Sequence, residues 1–291
     1  MDRAEEAREG VARGPVEEAP LVDVALAAAS PLRRFYLTSE RAILGVASVA
    51  AVLLAWEWVA ARELVPLVFI SSPMRIAKAA VELAASGDLW NDLRVSGIEF
   101  IVGYAMSVAV GIPLGIATGW YRRLFYLLDP FISGLYATPR VALLPLIIIW
   151  VGIGIWSKIV VVFLGAVFPI LINTLAAVRT TDERLLRAAR SFGADDLQVF
   201  RTIVLPSSVP FILTGLRLGV GRALVGVVVG ELYAATAGIG FLITVAGASF
   251  QTDKVFVGIL IIAAAGMVSM EVLSRLERRF EKWRPRVGAA P

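Results

Sequence analysis

The stretch Thr180-Thr-Asp-Glu-Arg-Leu-Leu-Arg-Ala-Ala-Arg-Ser-Phe-Gly-Ala-Asp-Asp-Leu-Gln-Val-Phe-Arg-Thr-Ile-Val-Leu-Pro206 is a long polar interruption between two groups of membrane-length apolar segments. Its residues spell two short helices that meet at a glycine. Thr180, with Glu183 three positions on, reads as a capping box, and Asp182 and Glu183 suit the positive end of a helix dipole. Leu185, Leu186, Ala189 and Phe192 follow at helical spacing, which predicts one apolar face with Arg184, Arg187 and Arg190 mostly off it. Gly193 stops the first helix. Asp195 and Asp196 start a second, whose stripe of Leu197, Phe200 and Ile203 runs up to Pro206. Such an elbow either lies on lipid headgroups, as its arginines favour, or offers a docking surface.

Outward from this elbow, the 291-residue chain is too apolar for an ordinary soluble domain, with 58% hydrophobic residues and a mean hydropathy of +0.78. A bilayer core takes about 20 apolar residues per helical span. Six segments qualify: 42–61, 98–118, 124–150, 159–178, 209–232 and 255–273. Helices are expected, because lipid-facing backbone must satisfy its own hydrogen bonds and no alternating strand pattern is present. The third segment is broken up by Asp129, Pro130, Pro139, Arg140 and Pro145, and Pro113 with several glycines bends the second. Between the first two, Ser72-Pro73 reads as the cap and first turn of a surface helix.

Lysine and arginine assign the sides. Arg33, Arg34 and Arg41 precede the first span; Arg122 and Arg123 join the second to the third. Arg179, Arg184, Arg187, Arg190 and Arg201 lie in the elbow region, and Arg275, Arg278, Arg279, Lys282, Arg284 and Arg286 follow the last span. The opposite connections offer Lys158 and Lys254, with Arg62, Arg75, Lys78 and Arg94 in the first outer loop as the blemish. The alternation fits six spans with both termini and the elbow in the cytoplasm. This yields a tail over 1–40, expected to be partly disordered and without a signal-peptide pattern, a membrane domain over 41–275, and a tail over 276–291.

The chemistry is narrowed by absences in the sequence. There is no cysteine and no histidine, which excludes disulfides, thiolate clusters and every His-based site. No Gly-x-x-x-x-Gly-Lys loop occurs, so ATP cannot be held by that route, and no nucleophile-elbow, zincin or paired-carboxylate motif stands out. The net charge of +4 reports topology rather than nucleic acid. Gly215-Leu-Arg-Leu-Gly-Val-Gly221 sits inside an apolar span and suits close helix packing.

Leu186-Arg-Ala-Ala-Arg-Ser-Phe-Gly193-Ala, followed by Phe200-Arg-Thr-Ile-Val-Leu-Pro206, resembles the EAA loop of ATP-binding-cassette importer permeases. The likeness runs from about 42 to 283 and is nearest the nitrate, sulfonate, taurine and bicarbonate branch. It implies an all-α integral membrane protein with the six-helix fold of binding-protein-dependent permeases, multi-pass in the bacterial inner membrane. It also implies that the 180–206 loop docks on separate ATPase subunits, through Arg187, Ala188, Ala189, Phe192, Gly193, Ala194, Asp195, Leu197, Phe200, Leu205 and Pro206. Arg187 stands where the loop's name-giving Glu would be. Further implied partners are an extracytoplasmic substrate-binding protein and a second copy of the chain. ATP is used by the ATPase, so no cofactor and no metal are expected on this chain, which is not itself an enzyme. Gly238-Ile-Gly-Phe-Leu-Ile to Ser249-Phe-Gln is similar to the family's outer gating loop, and equally fits an apolar loop dipping into the interface.

Charges inside apolar spans cost a few kcal/mol each, so they should face protein or a water-filled path. Arg217, Arg222 and Glu231 on the fifth span and Arg140 on the third are the candidate pathway residues. Arg140 follows Pro139 at a helix break, where free backbone donors and a fixed positive charge suit an anion in transit. The branch resemblance implies a small anion such as a sulfonate, taurine, nitrate or bicarbonate as cargo, with pyrimidine-like cargo as an alternative. A self-contained, ion-coupled secondary carrier is the competing reading. It would want an inverted repeat and an embedded acidic ion site, and the sequence offers no repeat.

Overall fold

The computed structural model describes residues 31–280. The expectations for 1–30 and for Lys282, Arg284 and Arg286 lie outside the described residues, as do the side chains of Arg33, Arg34, Arg41 and Arg279. Every regular element among the described residues is helical.

Helix α1 (Pro31–Ala61) belongs to a unit that ends at Leu64, and it starts well before its apolar run at 43. Beyond Pro31, no proline interrupts the segment. The second unit begins at Val65. It opens with the single turn α2 (Leu67–Ile70) and with α3 (Pro73–Ser86). As the Ser-Pro pair predicts, the Ser72 side chain accepts a hydrogen bond from the Arg75 amide (3.3 Å).

The long elements follow: α4 (Asp88–Trp120), α5 (Arg122–Ala137), α6 (Arg140–Val151) and α7 (Ile155–Arg179). The elbow helices α8 (Glu183–Ser191) and α9 (Asp196–Val199) lead into α10 (Leu205–Ala234), then α11 (Ile239–Ala248) and α12 (Thr252–Phe280). Among the described residues, five helices are long and apolar enough to cross a membrane, and a sixth crossing arises if α5 and α6 together make one. The expected third span is therefore not a single rod, since α5 and α6 meet at 102°. Pro139 supplies no amide, and the residue before it is pushed out of helical backbone, with Thr138 at ψ 129°.

Helix α7 is the central post, buried along most of its length. One stripe of α4, Gly103-Ser107-Gly111-Gly115-Gly119, carries only small residues at four-residue spacing, so the α4 and α7 backbones approach closely. A Cβ on Gly103 would stand 2.7 Å from Val162 Cβ, and one on Gly115 would stand 2.6 Å from Thr174 Cβ. Alongside, Gly215, Gly219 and Gly226 of α10 pack against Asn173, Ile170 and Val162 of α7. Val162, Ala166 and Ile170 of α7 form one buried cluster with Ala223 and Val227 of α10. The small-residue reading of 215–221 holds at Gly215 and Gly219, while Gly221 has open space.

The elbow and α11 follow opposite ends of α10, a helix of 30 residues and so about 45 Å long. Near the elbow, Val178, Val199 and Val204 are buried against Ile116, Trp120, Leu186 and Phe200, so the ends of α4 and α7 meet the start of α10 there. Arg179 stacks on Phe125 of α5 at 3.6 Å, which brings the Arg122–Arg123 pair to the same end. The arginine-rich connections are therefore neighbours in space. Lys158 is an exception to the counting: it is not a loop residue but lies inside α7, buried.

Candidate functional site

At the elbow, Asp182 rather than Thr180 caps α8, its carboxylate accepting from the Arg184 amide at 2.8 Å. Thr180 instead closes α7, donating its hydroxyl to the Ala176 carbonyl. Gly193 ends the turn at φ +81°, a left-handed conformation that glycine adopts without strain. Asp195 then forms a reciprocal capping box with Gln198 at the start of α9. The five residues Phe200–Val204 form a π-helical turn that runs into Pro206, whose missing amide frees the preceding ladder.

The expected single apolar face of α8 is divided. Leu186 and Ala189 pack inward with Ala194 and Phe200, while Leu185 is exposed and Phe192 is 92% exposed. Arg187, Ala188, Gly193, Asp195 and Leu197 share that outer surface, and Leu205 is also exposed. Arg187 pairs with Glu183 at 3.8 Å and Arg190 with Asp196 at 3.6 Å, both pairs in the open. The outcome is a rigid knuckle with an aromatic tip, fixed to the bundle from beneath.

A second feature sits at the α5–α6 break. A cavity of about 450 Å³ is bounded by Tyr136, Thr138 and Arg140 on one side and by Gly165, Arg222 and Val225 on the other. Arg140 and Arg222 thus come together from elements far apart in sequence, which helical spacing could not foretell. Arg140 leans over the Tyr136 ring at 5.7 Å, and its Nε is buried without a hydrogen-bond partner among the described residues. Among the described residues, no acidic one lines this cavity. Arg217 and Glu231 do not line it either: Arg217 forms a 2.5 Å ion pair with Glu277 of α12.

Glu231 belongs to a third feature, at the far end of α10. Rather than opening into solvent or an interface, it is buried to 1% exposure. Its carboxylate accepts from the Ser96 hydroxyl and from the Gly240 amide, each at 2.5 Å. Ser96 Oγ in turn accepts from the Ile239 amide, and Asp92 Oδ1 from the Gly238 amide, each at 2.8 Å. One turn deeper, the buried Glu99 faces Lys158 of α7 at 3.7 Å, an ion pair too long for a hydrogen bond. Asp92, Ser96, Glu99 and Lys158 were not singled out in the sequence. The available signal was that Asp92, Ser96 and Glu99 continue the buried stripe of Gly103 and Ser107 toward the helix start. A second span begun at 98 leaves Asp92 and Ser96 outside it, whereas Glu99 lies within it as an intramembrane charge.

With this geometry in hand, the chain can be set beside known proteins. Residues 111–282 match the model of the family described as binding-protein-dependent transport system inner membrane component. The taurine transport system permease protein of Escherichia coli is 35% identical, covering 84% of this chain and 91% of that protein. A putative aliphatic sulfonates transport permease protein of Bacillus subtilis is 34% identical, covering 81% and 85%. The formylaminopyrimidine transport permease protein of Halalkalibacterium halodurans is 30% identical, covering 79% and 91%. Among solved structures, the MetNI methionine ABC transporter in an inward-facing conformation superposes with a TM-score of 0.55 at 18% identity, covering 67% of this chain and 95% of that one. The chain belongs to the family of binding-protein-dependent transport system inner membrane components, and is the permease component of an ABC importer.

Proposed function

We propose that two copies of this chain form the bacterial inner-membrane path for a small organic anion, with sulfonates as the cargo class. Separate ATPase subunits dock on the 180–206 elbow in the cytoplasm and use the ATP. A substrate-binding protein delivers cargo at the opposite face. This chain binds no cofactor of its own in that scheme. The ion-coupled carrier reading is set aside, because it would leave the knuckle of Leu185, Phe192 and Leu197 without a purpose.

The observation that carries the cargo reading is the shared cavity of Arg140 and Arg222. Two guanidinium groups within membrane-crossing segments each cost about 3 kcal/mol, and they repel one another with no acid among the lining residues. An oxyanion between them relieves both costs, and the unpartnered Arg140 Nε supplies a donor for it. Relatives named for sulfonate and taurine transport support the same class. Movement of cargo then follows when the ATPases close and push the knuckle, tilting helices packed on α7.

Uptake of a radiolabelled alkanesulfonate, with taurine and formylaminopyrimidine as competitors, tests this. Arg140→Ala and Arg222→Ala should each raise KM about 10- to 100-fold, the loss expected for a charge-assisted bond. Unchanged sulfonate uptake in both variants, or competition by the neutral pyrimidine alone, would refute the cargo reading.

A further inference from the structure

The polar groups at the far end of α10 converge on one target. The amides of Gly238, Ile239 and Gly240 are consecutive first-turn donors of α11, and each is taken by a different buried side chain: Asp92, Ser96 and Glu231. Helix α11 provides no side-chain cap of its own. Three of its orphan donors and the positive end of its dipole are therefore met by α4 and α10.

The two glycines make this approach possible. Gly238 sits at φ +124°, and a Cβ there would collide with the Glu231 carboxylate. A Cβ on Gly240 would come within 2.8 Å of Glu231 Cβ. The grip also spans two helices, because the Ser96 hydroxyl donates to Glu231 across the α4–α10 seam. Both helices are bound to α7 at backbone contact, so a relative tilt about α7 is felt first at this seam. Beside it lies a small cavity of about 90 Å³, lined by Ser96, Phe100, Leu224, Glu231, Ile239 and Ile262. On that side α11 is gripped by hydrogen bonds rather than by filled packing.

We propose that Asp92, Ser96 and Glu231 form a latch through which α4 and α10 jointly hold α11 in place, so that parting of the two helices releases it. Ser96 is the hinge of the latch, since its hydroxyl accepts from α11 and donates to α10 at the same time. These are positioning residues for the transport cycle and touch no cargo. The inference rests on the importer reading above, but not on the identity of the cargo.

The chain has no cysteine, so single thiols can be introduced cleanly. Ala246 of α11 is buried, and Ala246→Cys in the complete transporter in nanodiscs reports release of α11 to a soluble maleimide from either face. Ser96→Ala should raise the labelling rate at least tenfold, as the charge-assisted bond to Glu231 and the acceptor for the Ile239 amide are both lost, whereas Ser96→Thr keeps the hydroxyl and the slow rate. A merely structural role would move neither rate while the melting temperature is unchanged. Equal rates in Ser96→Ala and Ser96→Thr would overturn the latch. If Ser96→Ala does not accumulate, hydrogen exchange of the unmodified complex decides. The 238–240 amides should be protected without nucleotide and exchange at least tenfold faster when ATP is trapped, and equal exchange overturns the latch. Failure of the cargo reading would abolish sulfonate dependence of uptake and leave these rates as stated.

Discussion

Helix α10 ends in two surfaces of opposite character. At its start, the elbow puts its charges in pairs on the outside, Glu183 with Arg187 and Arg190 with Asp196, and leaves Phe192 almost bare. At its finish, Asp92, Ser96, Glu99, Lys158 and Glu231 are all buried, and the chain's own amides take up three of them. An exposed aromatic on a stiff turn is the surface that we propose another subunit meets. Buried carboxylates on backbone amides are a surface made to hold the chain to itself. In the proposed assembly the same helix joins a docking point to an outer closure, and substitutions at the two ends should fail in different ways.

The largest effect should come from the buried end. Lys158→Ala strips Glu99 of its cation in a site with no exposure, a loss of about 3–5 kcal/mol. Melting of the purified protein in detergent should fall accordingly, and Lys158→Ala with Glu99→Gln should recover part of it. A melting temperature unaffected by Lys158→Ala would erase the contrast between the ends. Phe192→Ser comes next and should separate assembly from stability. Its melting should be unchanged, because the ring is 92% exposed, while ATPase affinity drops roughly 100-fold, as for an aromatic anchor worth about 3 kcal/mol. Titration of the ATPase subunit against the reconstituted permease measures this. Gly193→Ala forces a side chain into left-handed backbone and should cost about 1 kcal/mol, read as a modest fall in elbow protection by hydrogen exchange. Arg187→Glu should be the mildest. It breaks a solvent-exposed 3.8 Å pair, and melting should shift by no more than about 0.5 kcal/mol, less still at high salt.

The two ends also differ in how far they could be read from residues alone. The elbow is local: Gly193, the Asp195 cap and the apolar spacing all act within a few positions, and the paired helices appear where they point. Even there, spacing could not say that Leu186 faces the bundle while Phe192 faces away, since that depends on where Trp120 and Phe200 come to lie. The membrane spans were legible for the same reason, as apolar length is a property of one segment. The α5–α6 bend was signalled by Pro139, though its angle depends on how both helices pack against α7. By contrast, the latch joins residues 135 and 146 positions apart, Ser96 to Glu231 and Asp92 to Gly238. Nothing in either segment names its partner. The meeting of Arg140 and Arg222 is of the same kind, set by the glycine contacts that seat α10 on α7.

The central claim is that the knuckle lies in the cytoplasm, at the opposite face from α11, where a separate motor can push it. Single cysteines at the exposed Ser191 and Ser249 report this directly in a chain that has none of its own. In intact spheroplasts, a membrane-impermeant maleimide should label Ser249→Cys at once and Ser191→Cys only after the membrane is opened. Labelling of Ser191→Cys from outside, or of both sites from the same side, would contradict it.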